Sequence, residues 1–107
     1  EWVPGSFELA MGAQLLLESK DLDGVICIGS VVRGETPHFD FVCQATANGI
    51  MDVGLKNARP VIFCVLTDDT MEQALARSGG IHGNKGVECA VALLKMADLR
   101  KRMAHGG

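Results

Sequence analysis

Residues 24–38 read Gly24-Val25-Ile26-Cys27-Ile28-Gly29-Ser30-Val31-Val32-Arg33-Gly34-Glu35-Thr36-Pro37-His38. Val25 to Ile28 is apolar at odd and even positions alike, with a glycine on each side. A strand without a polar face belongs in a parallel sheet covered by helices on both sides. Gly29 closes this strand, and a polar connection follows. Thr36 is a good helix N-cap and Pro37 a good first helical residue. The helix they start runs to about Lys56, with Phe41, Ala45 and Ile50 among its apolar positions.

The pattern repeats on both sides. Upstream, Glu1-Trp2-Val3 has the composition of a strand end, and Pro4-Gly5 breaks it. Ser6 can cap a helix in which Leu9, Ala13, Leu16 and Leu17 recur at helical spacing. Downstream, Pro60 precedes a second apolar run, Val61 to Leu66. Asp69-Thr70-Met71-Glu72 has the form of a capping box, with Asp69 in the role of Ser or Thr, and predicts a short helix to about Arg77. A turn rich in glycine follows, with Gly79, Gly80, Gly83 and Gly86. Asn84 then caps a last helix whose apolar stripe is Val87, Val91, Leu94 and Ala97. Strand and helix alternate throughout, which predicts an α/β fold with a parallel sheet between helical layers.

Bulk properties narrow the function. At 107 residues the chain is one domain, 1–107. Hydrophobic residues at 48% against 21% charged argue against a disordered chain. A net charge of -3 gives no footprint for general nucleic-acid or membrane-surface binding. No apolar run approaches the roughly 20 residues that cross a bilayer. Cys27, Cys43, Cys64 and Cys89 form no C-x-x-C pair and have no histidine at zinc-finger spacing, so free thiols in a reducing compartment are expected.

In open α/β sheets ligands bind beyond the carboxyl ends of the strands. Polar residues gather there: Ser6-Phe7-Glu8, Ser30 to His38, and Thr67-Asp68-Asp69. A helix N-terminus after Gly34-Glu35-Thr36 offers unpaired N–H groups to an anion. A histidine in the first turn, His38, can exchange a proton near neutral pH. Arg77 can hold a phosphate through two parallel hydrogen bonds. The spacing of a nucleotide-triphosphatase phosphate loop is absent.

Taken together, the segments resemble lumazine synthase, the 6,7-dimethyl-8-ribityllumazine synthase family of riboflavin biosynthesis. They are Val3-Pro4-Gly5-Ser6-Phe7-Glu8, Gly29 to Asp40, Pro60-Val61-Ile62-Phe63, Val65-Leu66-Thr67, Glu72-Gln73-Ala74 with Arg77, and Gly83-Asn84-Lys85-Gly86 with Glu88. They stand in the family's order over nearly the whole chain. The resemblance implies a flavodoxin-like three-layer α/β/α sandwich, of which this chain would be the C-terminal two-thirds, without the first strand and helix.

It also implies a reaction. The family condenses 5-amino-6-(D-ribitylamino)uracil with 3,4-dihydroxy-2-butanone 4-phosphate, releasing phosphate and water, without a metal or redox cofactor. By position, Ser6, Phe7, Glu8, Ser30, Val31, Val32 and Phe63 would line the ribitylaminouracil site. Glu35, Thr36 and Arg77 would hold the butanone phosphate, and His38 would transfer protons. Arg33 would support them, and Lys85 and Glu88 would form a charged pair near the site. Phe63 and Arg77 would reach the site from a neighbouring subunit of a pentamer, alone or in a larger icosahedral assembly, with riboflavin synthase as a further partner. The implied compartment is the cytoplasm, or a plastid if a transit peptide precedes the chain. Two positions depart from the family: Ile81 stands where many relatives carry lysine, with His82 next to it, and Cys64 where they carry glycine. Competing readings are a flavodoxin-like domain that holds a flavin or a phosphorylated ligand without turnover, and a cage-forming protein whose shell is its main role.

Overall fold

A computed structural model of the chain describes residues 1–33, 38–68, 72, 76 and 84–106, with backbone alone at 67 and 68. A 3-10 turn, Ser6–Glu8, leads into helix α1, Leu9–Ser19. Strand β1 is Val25–Val32, helix α2 is His38–Asn57, strand β2 is Val61–Asp68, and helix α3 is Lys85–Ala104. Glu72 and Ala76 are helical, in keeping with the short helix expected there; Asp69, Thr70, Met71 and Arg77 lie outside the described residues.

The two strands pair in parallel, from Val25 opposite Val61 to Val32 opposite Asp68. α2 supplies the crossover a parallel pair requires. Side chains alternate along a strand, so the pair has two faces. Val25, Cys27 and Val31 of β1 and Val61, Phe63 and Val65 of β2 pack with α1 and α2. The core there is Ala13, Cys27, Ile50, Val53 and Val65, with Leu9, Ala10 and Leu17 against it. The other face carries Cys64 and Leu66, both buried, beneath α3. There the Cys64 thiol lies 3.9 Å from the Lys85 carbonyl, and the Cys89 thiol 3.7 Å from the Phe63 carbonyl. Helices on both faces of a parallel sheet give the expected α/β/α order.

Several local expectations are corrected. Residues 1–3 are not a strand, because among the described residues no neighbouring strand supplies their ladder. Ser6 does not cap α1; it opens the 3-10 turn, and no side chain caps either start. Gly29 does not close β1, which continues through Ser30, Val31 and Val32. The glycine is needed for approach: a Cβ there would stand 2.7 Å from Ser6 Oγ. Nor is every β1 side chain covered among the described residues, since Ile28 is 71% exposed.

Two helical stripes also differ. In α2 the buried residues are Phe39, Thr46, Ile50 and Val53, a seven–four–three spacing, while Phe41 and Ala45 face solvent. In α3 Asn84 caps as expected, its side chain accepting from the Val87 N–H at 3.2 Å. Yet Val87, Val91 and Leu94 are exposed, and Cys89 is the buried residue. Apolar residues occupy several sides of this helix, so periodicity does not select one. Contact does: the small Cys89 fits beside β2, and Leu93 closes over Gly24, where a Cβ would come within 2.5 Å of it.

α2 ends in a left-handed residue, Ala58 at φ 50. The N–H of Arg59 returns to the Gly54 carbonyl at 3.2 Å, satisfying part of the helix end. Arg100 of α3 donates to the Ala58 carbonyl at 2.8 Å, which ties the helices on opposite faces together.

Candidate functional site

Parallel pairing sets the carboxyl ends of both strands side by side, with Val31 opposite Thr67 and Val32 opposite Asp68. The 3-10 turn is drawn against β1 by the close approach of Ser6 to Gly29. It is also tied to α2: Thr46, 1% exposed, donates its hydroxyl to the Ser6 carbonyl at 3.3 Å. Within the turn, the Glu8 N–H bonds the Gly5 carbonyl at 3.1 Å. Phe7 consequently projects outward, exposed, while Ser6 and Glu8 are partly buried.

At the end of β1, Ser30 is exposed and Val31 and Val32 are partly buried. Arg33 follows, and its guanidinium pairs with Asp40 at 3.6 Å and stacks over Phe39 at 4.6 Å from the ring centre. His38 is the first residue of α2 and is exposed. One edge of the molecule therefore carries hydroxyls, an aromatic ring, a carboxylate and an imidazole. Such a set can donate and accept hydrogen bonds, stack on a flat ring and pass protons to a bound molecule. Ser6, Gly29 and Ser30 also border a hollow of about 630 Å³ beside β1, walled by Trp2, Val3 and Leu9.

The expected residues do not all meet there. Phe63 faces a different hollow, about 500 Å³, bounded by Asp40, Cys43, Gln44 and Ala47 of α2. Lys85 and Glu88 begin α3, on the opposite face of the sheet. The ion pairs among the described residues join Arg33 to Asp40, Lys101 to Asp23 and Arg102 to Asp98, so Lys85 and Glu88 are not paired with each other. Glu35, Thr36, Arg77, Ile81 and His82 lie outside the described residues. Two residues that the sequence does not single out do matter: Thr46, which anchors the Ser6 turn, and Asp40, which receives Arg33. Thr46 sits at heptad spacing from Phe39, the one available signal.

No three His, Cys, Asp or Glu side chains among the described residues form a metal-binding group. No described helix is long and apolar enough to cross a membrane. All four cysteines are free thiols. Burial pushes the Cys27 thiol from its ordinary 9.0 up to about 11. Cys64 rises likewise to about 11, by burial first and then by its hydrogen bond with Cys89. Both are protonated at neutral pH and therefore poor nucleophiles. Cys43 is raised as well, by burial and then by the Asp40 charge.

Residues 1–101 match the family model described as 6,7-dimethyl-8-ribityllumazine synthase. Curated proteins of that name are similar over most of the chain. The one from Flavobacterium johnsoniae is 55% identical over 100 residues, 94% of this chain and 53% of its own length. That from Cytophaga hutchinsonii is 58% identical over 94 residues, 88% of this chain and 59% of its own. That from Lactiplantibacillus plantarum is 48% identical over 100 residues, 94% of this chain and 63% of its own. The chain thus spans between about half and two-thirds of the length of the relatives it matches.

Proposed function

The chain belongs to the 6,7-dimethyl-8-ribityllumazine synthase family, and we propose that the protein is a transferase that condenses 5-amino-6-(D-ribitylamino)uracil with 3,4-dihydroxy-2-butanone 4-phosphate. The products are 6,7-dimethyl-8-ribityllumazine, phosphate and water. The observation that carries this reading is the gathering of Ser6, Phe7, Glu8, Ser30, Val31, Val32 and His38 at the carboxyl end of β1, the position where open α/β sheets bind ligands.

In this reading Phe7 and the backbone around Ser6 flank the pyrimidine, Glu8 accepts from ribityl hydroxyls, and Ser30 to Val32 hold the pyrimidine edge. Glu35, Thr36 and Arg77 take the phosphate. Imine formation and phosphate elimination both move protons near pH 7, the task of His38. Much of the acceleration comes from holding two reactive molecules together. Phe63 lines a hollow with Asp40, Cys43, Gln44 and Ala47, and in this reading that hollow belongs to a site shared with a neighbouring copy of the chain. Exposed Val87, Val91 and Leu94 on α3 give such an assembly apolar surface to cover. We propose a homo-oligomer built on pentamers, with riboflavin synthase consuming the product. The free thiols suit a reducing compartment, the cytoplasm or a plastid stroma.

His38→Ala in the protein expressed from its whole reading frame is expected to lower turnover by about 10- to 100-fold, the weak end of general acid–base effects. The readout is lumazine fluorescence under saturating substrates between pH 6 and 8. Full activity across that range would remove His38 from the chemistry.

A further inference from the structure

His38 opens α2, and the two residues after it are both engaged by one side chain from the end of β1. Arg33 lies directly after Val32. Its Nη2 is 3.6 Å from Asp40 Oδ1, and its Cζ is 4.6 Å from the centre of the Phe39 ring. Phe39 is buried, so that ring is a fixed platform. From this geometry we infer that Arg33 and Asp40 are a positioning pair for His38, holding the first turn of α2 at a set distance from the carboxyl end of β1. The inference rests on the proposed role of His38 in proton transfer.

The physical case starts from the weakness of exposed ion pairs. Arg33 and Asp40 side chains are 49% and 69% exposed, and water and salt screen such a pair. The carboxylate and the ring face both restrain the guanidinium, however. A planar, delocalised cation can stack and pair at once, which an ammonium cannot do equally well. Asp40 also lies in the first turn of α2, where the helix dipole favours a negative charge. Both restraints act on residues 39 and 40, adjacent to His38. A proton-transfer group works only within hydrogen-bond reach of its substrate, and small misplacements are costly. A weak contact at this place therefore acts on rate while contributing little to global stability.

The test is a set of variants in the whole protein. Arg33→Met and Asp40→Asn are each expected to lower kcat about three- to fivefold, the upper range for an exposed pair, with both KM values within about twofold. Arg33→Lys recovers part of the loss, because it restores charge without the planar fork. In a His38→Ala background neither change costs more than about twofold further, since the side chain being positioned is gone. A merely structural role would lower kcat in both backgrounds. Hydrogen exchange supplies a readout without turnover. The amides of Val42 and Cys43 bond the carbonyls of His38 and Phe39 in a regular helix, and their exchange is expected to quicken about three- to tenfold in Arg33→Met and in Asp40→Asn. Unchanged kcat, full multiplication of the losses with His38→Ala, or KM shifts as large as the kcat shifts would overturn the inference. So would unchanged exchange at Val42 and Cys43, whether or not the protein makes lumazine. An inactive wild-type protein would instead overturn the proposed function, and exchange would still decide the pair.

Discussion

Arg77→Ala is expected to raise the Michaelis constant for the butanone phosphate by about 30- to 1000-fold, while that for the ribitylaminouracil moves by no more than a few-fold. A charge-assisted bidentate contact to a phosphate is worth on the order of 2–4 kcal/mol, since its loss also leaves an anion poorly matched. At about 1.4 kcal/mol for each factor of ten, that range gives the stated change. Arg77→Lys separates charge from geometry: the ammonium keeps the attraction and loses the fork, so an intermediate constant is expected. Steady-state kinetics with each substrate varied in turn measure all of these. An unchanged constant for the phosphate substrate in Arg77→Ala would take this residue out of the site.

Ile50→Ala is expected to destabilise the protein by about 2–5 kcal/mol, the range for removing a large aliphatic side chain from a packed interior. Ile50 is 2% exposed and sits among Ala13, Cys27, Val53 and Val65, where α1, α2 and the sheet meet. Small domains hold only about 5–15 kcal/mol in total, so the loss is a large fraction. It also bears on the site, because the same helix carries His38 at its start and Thr46, the anchor of the Ser6 turn, one turn before Ile50. Ile50→Val should cost about 0.5–1.5 kcal/mol by the same argument. Urea denaturation gives both values; a cost below about 1 kcal/mol for Ile50→Ala would contradict the packing described.

The order of elements was legible because the signals are local and mutually consistent. Val25 to Ile28 and Val61 to Leu66 lack a polar face, and the α2 sequence between them is long enough for a crossover, so a parallel pair follows. The errors fall where a distant partner decides. Gly29 has the local form of a strand end, yet it serves as the gap into which Ser6 fits, a use of glycine that only the folded contact reveals. Glu1 to Val3 have strand composition without a ladder partner among the described residues. In α3 two apolar stripes compete, and the close fit of Cys89 and Leu93 against the sheet settles which is buried. The site divides in the same way. Ser6, Phe7, Glu8, Ser30, Val31, Val32 and His38 were legible as segments in order, and the fold draws them to one edge. Thr46 and Asp40 were not, because their roles are contacts across 40 and 7 residues of chain respectively. Phe63 lines a separate hollow with α2, and Lys85 and Glu88 begin α3 on the other face of the sheet.

The most direct test mixes the protein, expressed from its whole reading frame, with 5-amino-6-(D-ribitylamino)uracil and 3,4-dihydroxy-2-butanone 4-phosphate. Lumazine fluorescence and released inorganic phosphate are followed together. The account predicts that both rise in step, one phosphate for each lumazine, faster than in the protein-free mixture and more slowly with His38→Ala. Lumazine forming no faster than in the protein-free mixture, from a folded protein that still binds the uracil, would contradict it.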